Sequence, residues 1–273
     1  MRHRAPGAWS PAITALCMCL CMPAASQSLS YIALGDSVTV GTGSTNNQGY
    51  VVPYGAYLGT VYGATMTVVN LGVGGETSAS ILGGQLTNFK NTVASEKTAG
   101  ITVNTISIHI GNNDLANWVI AEAEDGYTPD QISAAMPAEV GIVQANYVKL
   151  LTAVRQQVPH SFLLLESYWN FPWYGDVAYQ LYDQGNQEMD TVMQSLATQY
   201  DGRWVDNYDP FLGHEEQYLV NNQEHPNNLG YSVIVADMER VPAPDPLLTA
   251  SLGVGVFSLM RRSGRRRTRT DGS

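Results

Sequence analysis

Short continuous apolar runs alternate along this chain with longer segments whose apolar residues recur at helical spacing. An uninterrupted apolar run predicts a buried strand, and recurrence at three and four residues predicts a helix with one apolar face. The runs predict strands at residues 31–34, 66–71, 103–110, 162–166 and 203–206. The helical patterns predict helices at 50–61, 137–158, 177–200 and 228–238, and a short, weak helix that ends near residue 89. A loop is expected over residues 115–136.

Strands that alternate with helices and are apolar along their whole length are typical of a parallel sheet covered on both sides. We therefore predict one α/β domain with a doubly wound, flavodoxin-like parallel sheet of about five strands and helices on both faces. No internal repeat or linker interrupts residues 27–240. The carboxyl ends of the strands share one edge of such a sheet, where ligands bind.

The amino-terminal segment has the pattern of a secretory signal peptide. Arg2 and Arg4 precede an apolar stretch over residues 12–22, and small residues follow it. This pattern predicts a signal peptide over residues 1–26. All three cysteines lie in that segment. The mature protein is therefore expected to have no disulfide, no thiol nucleophile and no cysteine-ligated metal.

The carboxyl-terminal segment has three parts in sequence. Val-Pro-Ala-Pro begins at Val241, an apolar run of 14 residues ends at Met260, and an arginine-rich cluster begins at Arg261. Residues 241–273 resemble the PEP-CTERM sorting signal of Gram-negative bacteria, with Ala243 where that family usually has glutamate. The resemblance implies export through the inner membrane, a transient anchor and removal of the tail by a membrane sorting protease. A simple tail anchor is the alternative.

The charge of the central domain excludes some classes of partner. Residues 27–240 contain 6 Lys and Arg residues against 22 Asp and Glu residues, a formal net charge of −16. A surface of this charge disfavours nucleic acid and anionic membranes as partners. It is compatible with an exported protein and identifies no substrate.

Four residues at the predicted strand ends have side chains or main-chain groups suited to acyl transfer. Ser37, Gly75 and Asn113 follow the first three strands, and His225 precedes the last helix. Acyl transfer needs a hydroxyl nucleophile, an imidazole that takes its proton, and donors aimed at the developing oxyanion. Ser37 could supply the hydroxyl and a main-chain N–H, Gly75 a second N–H and Asn113 an amide. His225 would then be the base.

The segments around these residues resemble the SGNH (GDSL-type) hydrolase family, in the order of its blocks. They are Gly-Asp-Ser at 35–37, Asn-Leu-Gly-Val-Gly-Gly-Glu-Thr at 70–77, Gly-Asn-Asn-Asp at 111–114 and His-Pro at 225–226. The resemblance implies an esterase, lipase or carbohydrate deacetylase that uses no metal or cofactor. Its substrate would be a small-molecule, lipid or polysaccharide ester. Gly75 matches the oxyanion glycine of the family.

One position departs from the family pattern. Asn222 stands where the family has the aspartate of the catalytic triad. An amide oxygen can accept the imidazole N–H but adds no charge. The first interpretation is a serine esterase in which Asn222 orients His225. The second takes the acid from Asp206, Asp209 or Glu224, and the third is a catalytically inactive exported protein that binds carbohydrate or matrix.

Two other histidines are alternatives to the base. His214 has glutamates on its carboxyl-terminal side, which predicts a solvated loop. His109 lies inside an apolar strand, where a histidine is expected to be buried with its hydrogen bonds satisfied. We therefore expect neither of them to serve the nucleophile.

Overall fold

Strands and helices alternate along the chain, as the apolar runs predict. The structure is a computed structural model that describes residues 27–171, 175–221 and 224–244. The strands are β1 (Ser28–Gly35), β2 (Thr65–Asn70), β3 (Thr102–His109), β4 (Phe162–Glu166) and β5 (Arg203–Val205). The α-helices are α1 (Ser37–Val40), α2 (Val51–Tyr62), α3 (Gly84–Ala99), α4 (Asn112–Glu124), α5 (Pro129–Gln157), α6 (Asp176–Gln199), α7 (Tyr208–Phe211), α8 (Glu215–Tyr218) and α9 (Asn228–Arg240).

The five strands form one parallel sheet in the order β2-β1-β3-β4-β5. This is the strand order of a flavodoxin-like doubly wound sheet, so the predicted fold class is confirmed. β1 lies between β2 and β3, and the chain reverses its direction of winding there. The carboxyl end of β1 is therefore at the switch point where such sheets bind their ligands.

The side chains of each strand alternate between two hydrophobic layers. Ile32 and Leu34 of β1 pack in a layer with apolar residues of α3, α4, α5 and α6. Tyr31 and Ala33, which point the other way, pack in a layer with residues of α2 and α9. Because both faces of the sheet are covered, the strands can be apolar along their whole length.

The predicted loop at residues 115–136 is wrong. This segment forms most of α4 and the first turns of α5. The side chain of Thr128 caps α5 together with Gln131 in a capping box, and Pro129 occupies the first turn, so the helix begins eight residues before the predicted start at Pro137. Pro137 is tolerated inside α5 because the carbonyl of Ser133, which its missing N–H leaves free, accepts a 3.0 Å hydrogen bond from Gln184 Nε2.

Two further predictions concern segments at or beyond the ends of the described chain. The predicted signal peptide and nearly all of the predicted sorting signal, from residue 245 onward, lie outside the described residues. Among the residues that are described, no helix is long and apolar enough to cross a membrane. The domain boundaries at residues 26 and 240 stay predictions.

Candidate active site

A tight turn follows β1 and presents Ser37. Gly35 has a φ of 150°, and a side chain there would overlap the carbonyl of His109 in the neighbouring strand. Asp36 then caps α1, because its Oδ1 accepts a 2.9 Å hydrogen bond from the N–H of Val38. Ser37 is the first residue of α1, where helix geometry leaves the N–H without a partner inside the helix. The turn therefore exposes both the hydroxyl and the N–H of Ser37 at the edge of the sheet.

The imidazole of His225 reaches this serine from the far end of the chain. His225 Nε2 lies 2.8 Å from Ser37 Oγ, although the two residues are 188 positions apart. His225 stands in a narrow loop closed by an antiparallel bridge between Leu219 and Pro226. The carbonyl of His225 also accepts a 2.9 Å hydrogen bond from the N–H of Val220. The loop thus fixes the main chain on both sides of the imidazole.

The other two histidines considered from the sequence do not contact Ser37. His214 is exposed and stacks on Tyr218 at a ring distance of 5.4 Å. His109 is fully buried, as predicted, and its Nε2 lies 3.2 Å from the carbonyl of Ser167. The expectation that His109 is satisfied is wrong, because within the described chain its Nδ1 has no hydrogen-bond partner and lies 3.9 Å from Asp36 Oδ1.

The imidazole of His225 also needs a hydrogen-bond partner for its second ring nitrogen, Nδ1. Asn222, which the sequence suggests for this role, lies outside the described residues. Glu224 Oε1 is 3.8 Å from Nδ1, which is too long for a hydrogen bond, and its side chain is 42% exposed. Asp206 instead accepts hydrogen bonds from the N–H groups of Tyr208 and Asp209 at the start of α7.

Gly75 lies in a loop and Asn113 in the first turn of α4, both at the same edge of the sheet. Gly75 is exposed, has a φ of 73° and would meet no atom within 4 Å if it carried a Cβ. Asn113 Nδ2 donates a 2.8 Å hydrogen bond to the carbonyl of Glu76 and lies 3.4 Å from Asp36 Oδ2. Asn113 therefore joins the loop of Gly75 to the turn of Ser37.

A buried layer of polar and aromatic side chains contacts the turn that carries Ser37. The hydroxyl of Tyr168 donates a hydrogen bond to Asp36 Oδ2, and its ring lies 3.9 Å from that of His109. Burial and the charge of Asp36 raise the pKa of Tyr168 well above its ordinary value, so the phenol remains a donor. Glu166 is fully buried, and burial raises the pKa of its carboxyl. Neither Tyr168 nor Glu166 could be assigned to the site from the sequence, because neither belongs to a recognisable motif.

Residues 33–233 match the model of the GDSL-like Lipase/Acylhydrolase family. The chain belongs to this family. The predicted resemblance to SGNH (GDSL-type) hydrolases and the predicted class of ester-bond hydrolase are both confirmed at the level of this family. None of the curated proteins compared with the chain matches it.

Solved structures of low sequence identity share the fold of this GDSL-like hydrolase. A lipase, Lip_vut3 from a goat rumen metagenome, has 19% identity and a TM-score of 0.67, with 80% of this chain and 100% of that chain covered. Phospholipase A1 from Streptomyces albidoflavus has 16% identity and a TM-score of 0.57, with coverage of 78% and 99%. The acetylxylan esterase Axe2 from Geobacillus stearothermophilus has 18% identity and a TM-score of 0.55, with coverage of 79% and 94%.

Proposed function

We propose that this chain is an exported serine esterase that hydrolyses carboxylic esters with Ser37 as nucleophile and His225 as base. The observation that carries the proposal is the 2.8 Å contact between Ser37 Oγ and His225 Nε2 at the switch point of the sheet. A serine hydroxyl becomes a nucleophile when a base within hydrogen-bond distance can take its proton. Membership of the family supports the ester as the bond that is cleaved.

The reaction proceeds in two acyl-transfer steps. Ser37 Oγ bonds to the ester carbonyl carbon while its proton passes to His225 Nε2, and a tetrahedral oxyanion forms. The bond to the alcohol breaks as that oxygen takes the proton from Nε2, which leaves an acyl group on Ser37. Water then repeats the sequence and releases the acid. Balanced in this way, the reaction consumes one water molecule and requires no cofactor.

The oxyanion is stabilised by three donors. The N–H groups of Ser37 and Gly75 are the main-chain donors, and Asn113 Nδ2 is the side-chain donor. One hydrogen of Nδ2 holds the carbonyl of Glu76 at 2.8 Å. The other forms a long 3.4 Å contact with Asp36 Oδ2. The oxygen of the oxyanion can take the place of Asp36 in this contact at little cost. Asn113 can therefore keep its hydrogen bond to the carbonyl of Glu76 while its second N–H binds the oxyanion.

The imidazole needs an acceptor for Nδ1–H, because Nε2 must be free of hydrogen to take the serine proton. We propose Asn222 for this acceptor, which gives a Ser-His pair with a neutral orienting group. Glu224 is the charged alternative, since it is the nearest carboxylate to His225 among the described residues. Its exposure and its 3.8 Å distance make it a weaker support than a buried carboxylate.

Export and processing complete the proposal. The signal peptide at residues 1–26 would direct the chain through the inner membrane of a Gram-negative bacterium to the cell surface or medium. A membrane protease would remove the tail that begins at residue 241. Mass spectrometry of the protein from its native host tests both steps. We expect termini near residues 26 and 241, and an intact arginine-rich tail would contradict the processing.

A fluorophosphonate probe and a set of esters test the catalytic proposal. The probe should label the purified domain at Ser37, and Ser37→Ala should lose both the label and all turnover. Ser232→Ala, which removes a hydroxyl exposed on α9, is the matched control and should keep both. p-Nitrophenyl esters of increasing acyl length, assayed beside acetylated xylan, would identify the substrate class. An unlabelled protein without turnover on any ester would contradict the enzyme and favour an inactive binding protein.

A further inference from the structure

We propose that Gln85 is a positioning residue that fixes the nucleophile turn relative to the oxyanion loop. Gln85 lies in the first turn of α3, outside the four family blocks, and its side chain is 2% exposed. This inference rests on the proposed esterase function, because it assigns Gln85 a role in placing Ser37 and the oxyanion donors. Gln85 itself touches neither the substrate nor a reacting atom.

The amide of Gln85 binds both polar groups of Gly35. Its Oε1 accepts a 2.7 Å hydrogen bond from the N–H of Gly35, and its Nε2 donates a 2.9 Å hydrogen bond to the carbonyl of the same residue. These two bonds determine which end of the amide is nitrogen. They also hold the last residue of β1, two positions before Ser37, as a paired strand would.

The same amide also reaches the oxyanion loop. Gln85 Nε2 lies 3.1 Å from Glu76 Oε2, and Glu76 directly follows Gly75. The second carboxylate oxygen of Glu76 accepts a hydrogen bond from Ser80, and its carbonyl accepts one from Asn113. Glu76 therefore connects Gln85 to both of the proposed oxyanion donors outside the nucleophile turn.

If the amide of Gln85 is lost, Gly35 and Glu76 each lose hydrogen bonds that the remaining groups do not fully replace. The carbonyl of Gly35 would keep one donor, the N–H of Val73 at 3.0 Å, but within the described chain the N–H of Gly35 has only Gln85 as its acceptor. Glu76 is 8% exposed, so water would reach its freed oxygen poorly. The two loops would then keep the connections through Asn113 and Val73 but lose the one through Gln85, and a displacement of 1 Å can cost about 100-fold in rate.

Gln85→Leu and Gln85→Glu test this role beside a matched control. Gln184 makes three comparable bonds, none of them to a residue of the site: its Oε1 accepts from the Ser133 hydroxyl, and its Nε2 donates to the Ser133 carbonyl and to Glu188. We expect Gln85→Leu to lower kcat per fluorophosphonate-titrated site by about 10- to 100-fold, with KM changed less than about twofold. Gln184→Leu should leave kcat per titrated site within about twofold of the original chain.

Gln85→Glu adds a readout that a merely structural role would not change. A carboxylate at this position faces the carboxylate of Glu76, and two carboxylates at one site share a proton at low pH. The protonated pair can again donate a hydrogen bond, so the ratio of the variant's kcat to that of the original chain should rise as the pH falls from 8 to 5. This variant also serves if Gln85→Leu does not fold.

Two outcomes would overturn the role of Gln85 while the original chain remains active. One is a kcat per titrated site that stays within twofold in Gln85→Leu, even if the yield of folded protein falls. The other is a Gln85→Glu ratio that does not change with pH. An original chain that neither reacts with the probe nor hydrolyses an ester would instead overturn the proposed function, and the role of Gln85 with it.

Discussion

The indole Nε1–H of Trp169 donates a 3.0 Å hydrogen bond to the carbonyl of Glu224, the residue immediately before His225. Trp169 is 1% exposed and follows β4, and its ring stacks on that of Phe211 at 4.5 Å and 19°. The loop that carries the proposed base is thus tied to a rigid aromatic layer. We therefore expect Trp169 to contribute to the orientation of His225, although Glu224, which it binds, is 55 positions away in the chain.

Removing only this N–H should slow the reaction without weakening substrate binding. Trp169→Phe keeps the aromatic packing but loses a hydrogen bond of about 0.5–1.5 kcal/mol, so we expect kcat to fall about three- to tenfold with little change in KM. Trp204→Phe is the control, because the described residues offer no partner to its buried Nε1. Steady-state kinetics of both variants test this, and equal kcat values would show that the indole bond is irrelevant to His225.

The two candidate bases should differ sharply when each is replaced. His225→Ala removes the imidazole 2.8 Å from Ser37 Oγ, and we expect kcat to fall about 10³-fold or more. His214→Ala, which changes an exposed ring just before α8, should leave kcat within about twofold. Hydrolysis of a p-nitrophenyl ester measures both. A large loss in His214→Ala with a mild effect in His225→Ala would reverse the assignment of the base.

The neutral residue at position 222 should behave differently from a catalytic aspartate. If Asn222 only accepts the Nδ1–H of His225, Asn222→Ala should lower kcat about three- to tenfold, the value of one neutral hydrogen bond. Asn222→Asp should raise kcat, because a negative charge favours the imidazolium that forms during the reaction.

Carboxylate variants complete this test. We expect Glu224→Gln to change kcat less than about twofold, because its contact with His225 is exposed and 3.8 Å long. Asp206→Asn and Asp209→Asn should also have little effect on kcat. An inert Asn222→Asp, combined with a severe loss in one of these three variants, would move the acid of the triad to that carboxylate.

One carboxyl to which none of these roles is assigned, that of Asp190, should govern part of the stability of the domain. Burial, together with the charges of Asp206 and Asp209, raises the pKa of Asp190 to about 8. In the unfolded chain the pKa of an aspartate is about 3.9, so the fold favours the neutral form. The contribution of Asp190 to the free energy of unfolding is therefore fully present below about pH 4 and is lost as the pH rises toward 8.

Asp190→Asn imitates the neutral form at every pH. Its free energy of unfolding should exceed that of the original chain at pH 8, and the difference should shrink toward pH 4. Urea unfolding at pH 5, 6.5 and 8 measures this. The exposed Asp125 provides the control variant, Asp125→Asn, which should follow the original chain. A constant difference between Asp190→Asn and the original chain would contradict the raised pKa.

The strands were predictable because buried parallel strands are apolar on both faces, and β4 has the predicted limits of residues 162–166. The missed helix α4 begins in Gly-Asn-Asn-Asp and ends near Gly126, residues that are typical of loops. The start of α5 was readable, since Thr128, Pro129 and Gln131 form a capping box and first turn that the sequence displays. The predicted start at Pro137 is wrong because the helix begins at Pro129 and Pro137 lies inside it.

The proposed nucleophile and base could be found from the sequence because each lies in a recognisable block, Ser37 directly after a strand and His225 just before the last helix. Gln85 and Trp169 could not. Each binds main-chain atoms of a residue 50 or 55 positions away, and any residue can supply a main-chain carbonyl or N–H. Such contacts impose no pattern on the partner's side chain. Only the folded arrangement of the loops shows them.

The separation of 188 positions between Ser37 and His225 has a consequence for synthesis. The ribosome completes the nucleophile turn early, but the imidazole follows only when nearly the whole domain has been made. A shortened chain that ends between Ser37 and His225 contains the proposed nucleophile without its proposed base. If Ser37 and His225 act as proposed, hydrolysis requires that translation has passed His225, so a nascent chain shorter than this cannot attack esters.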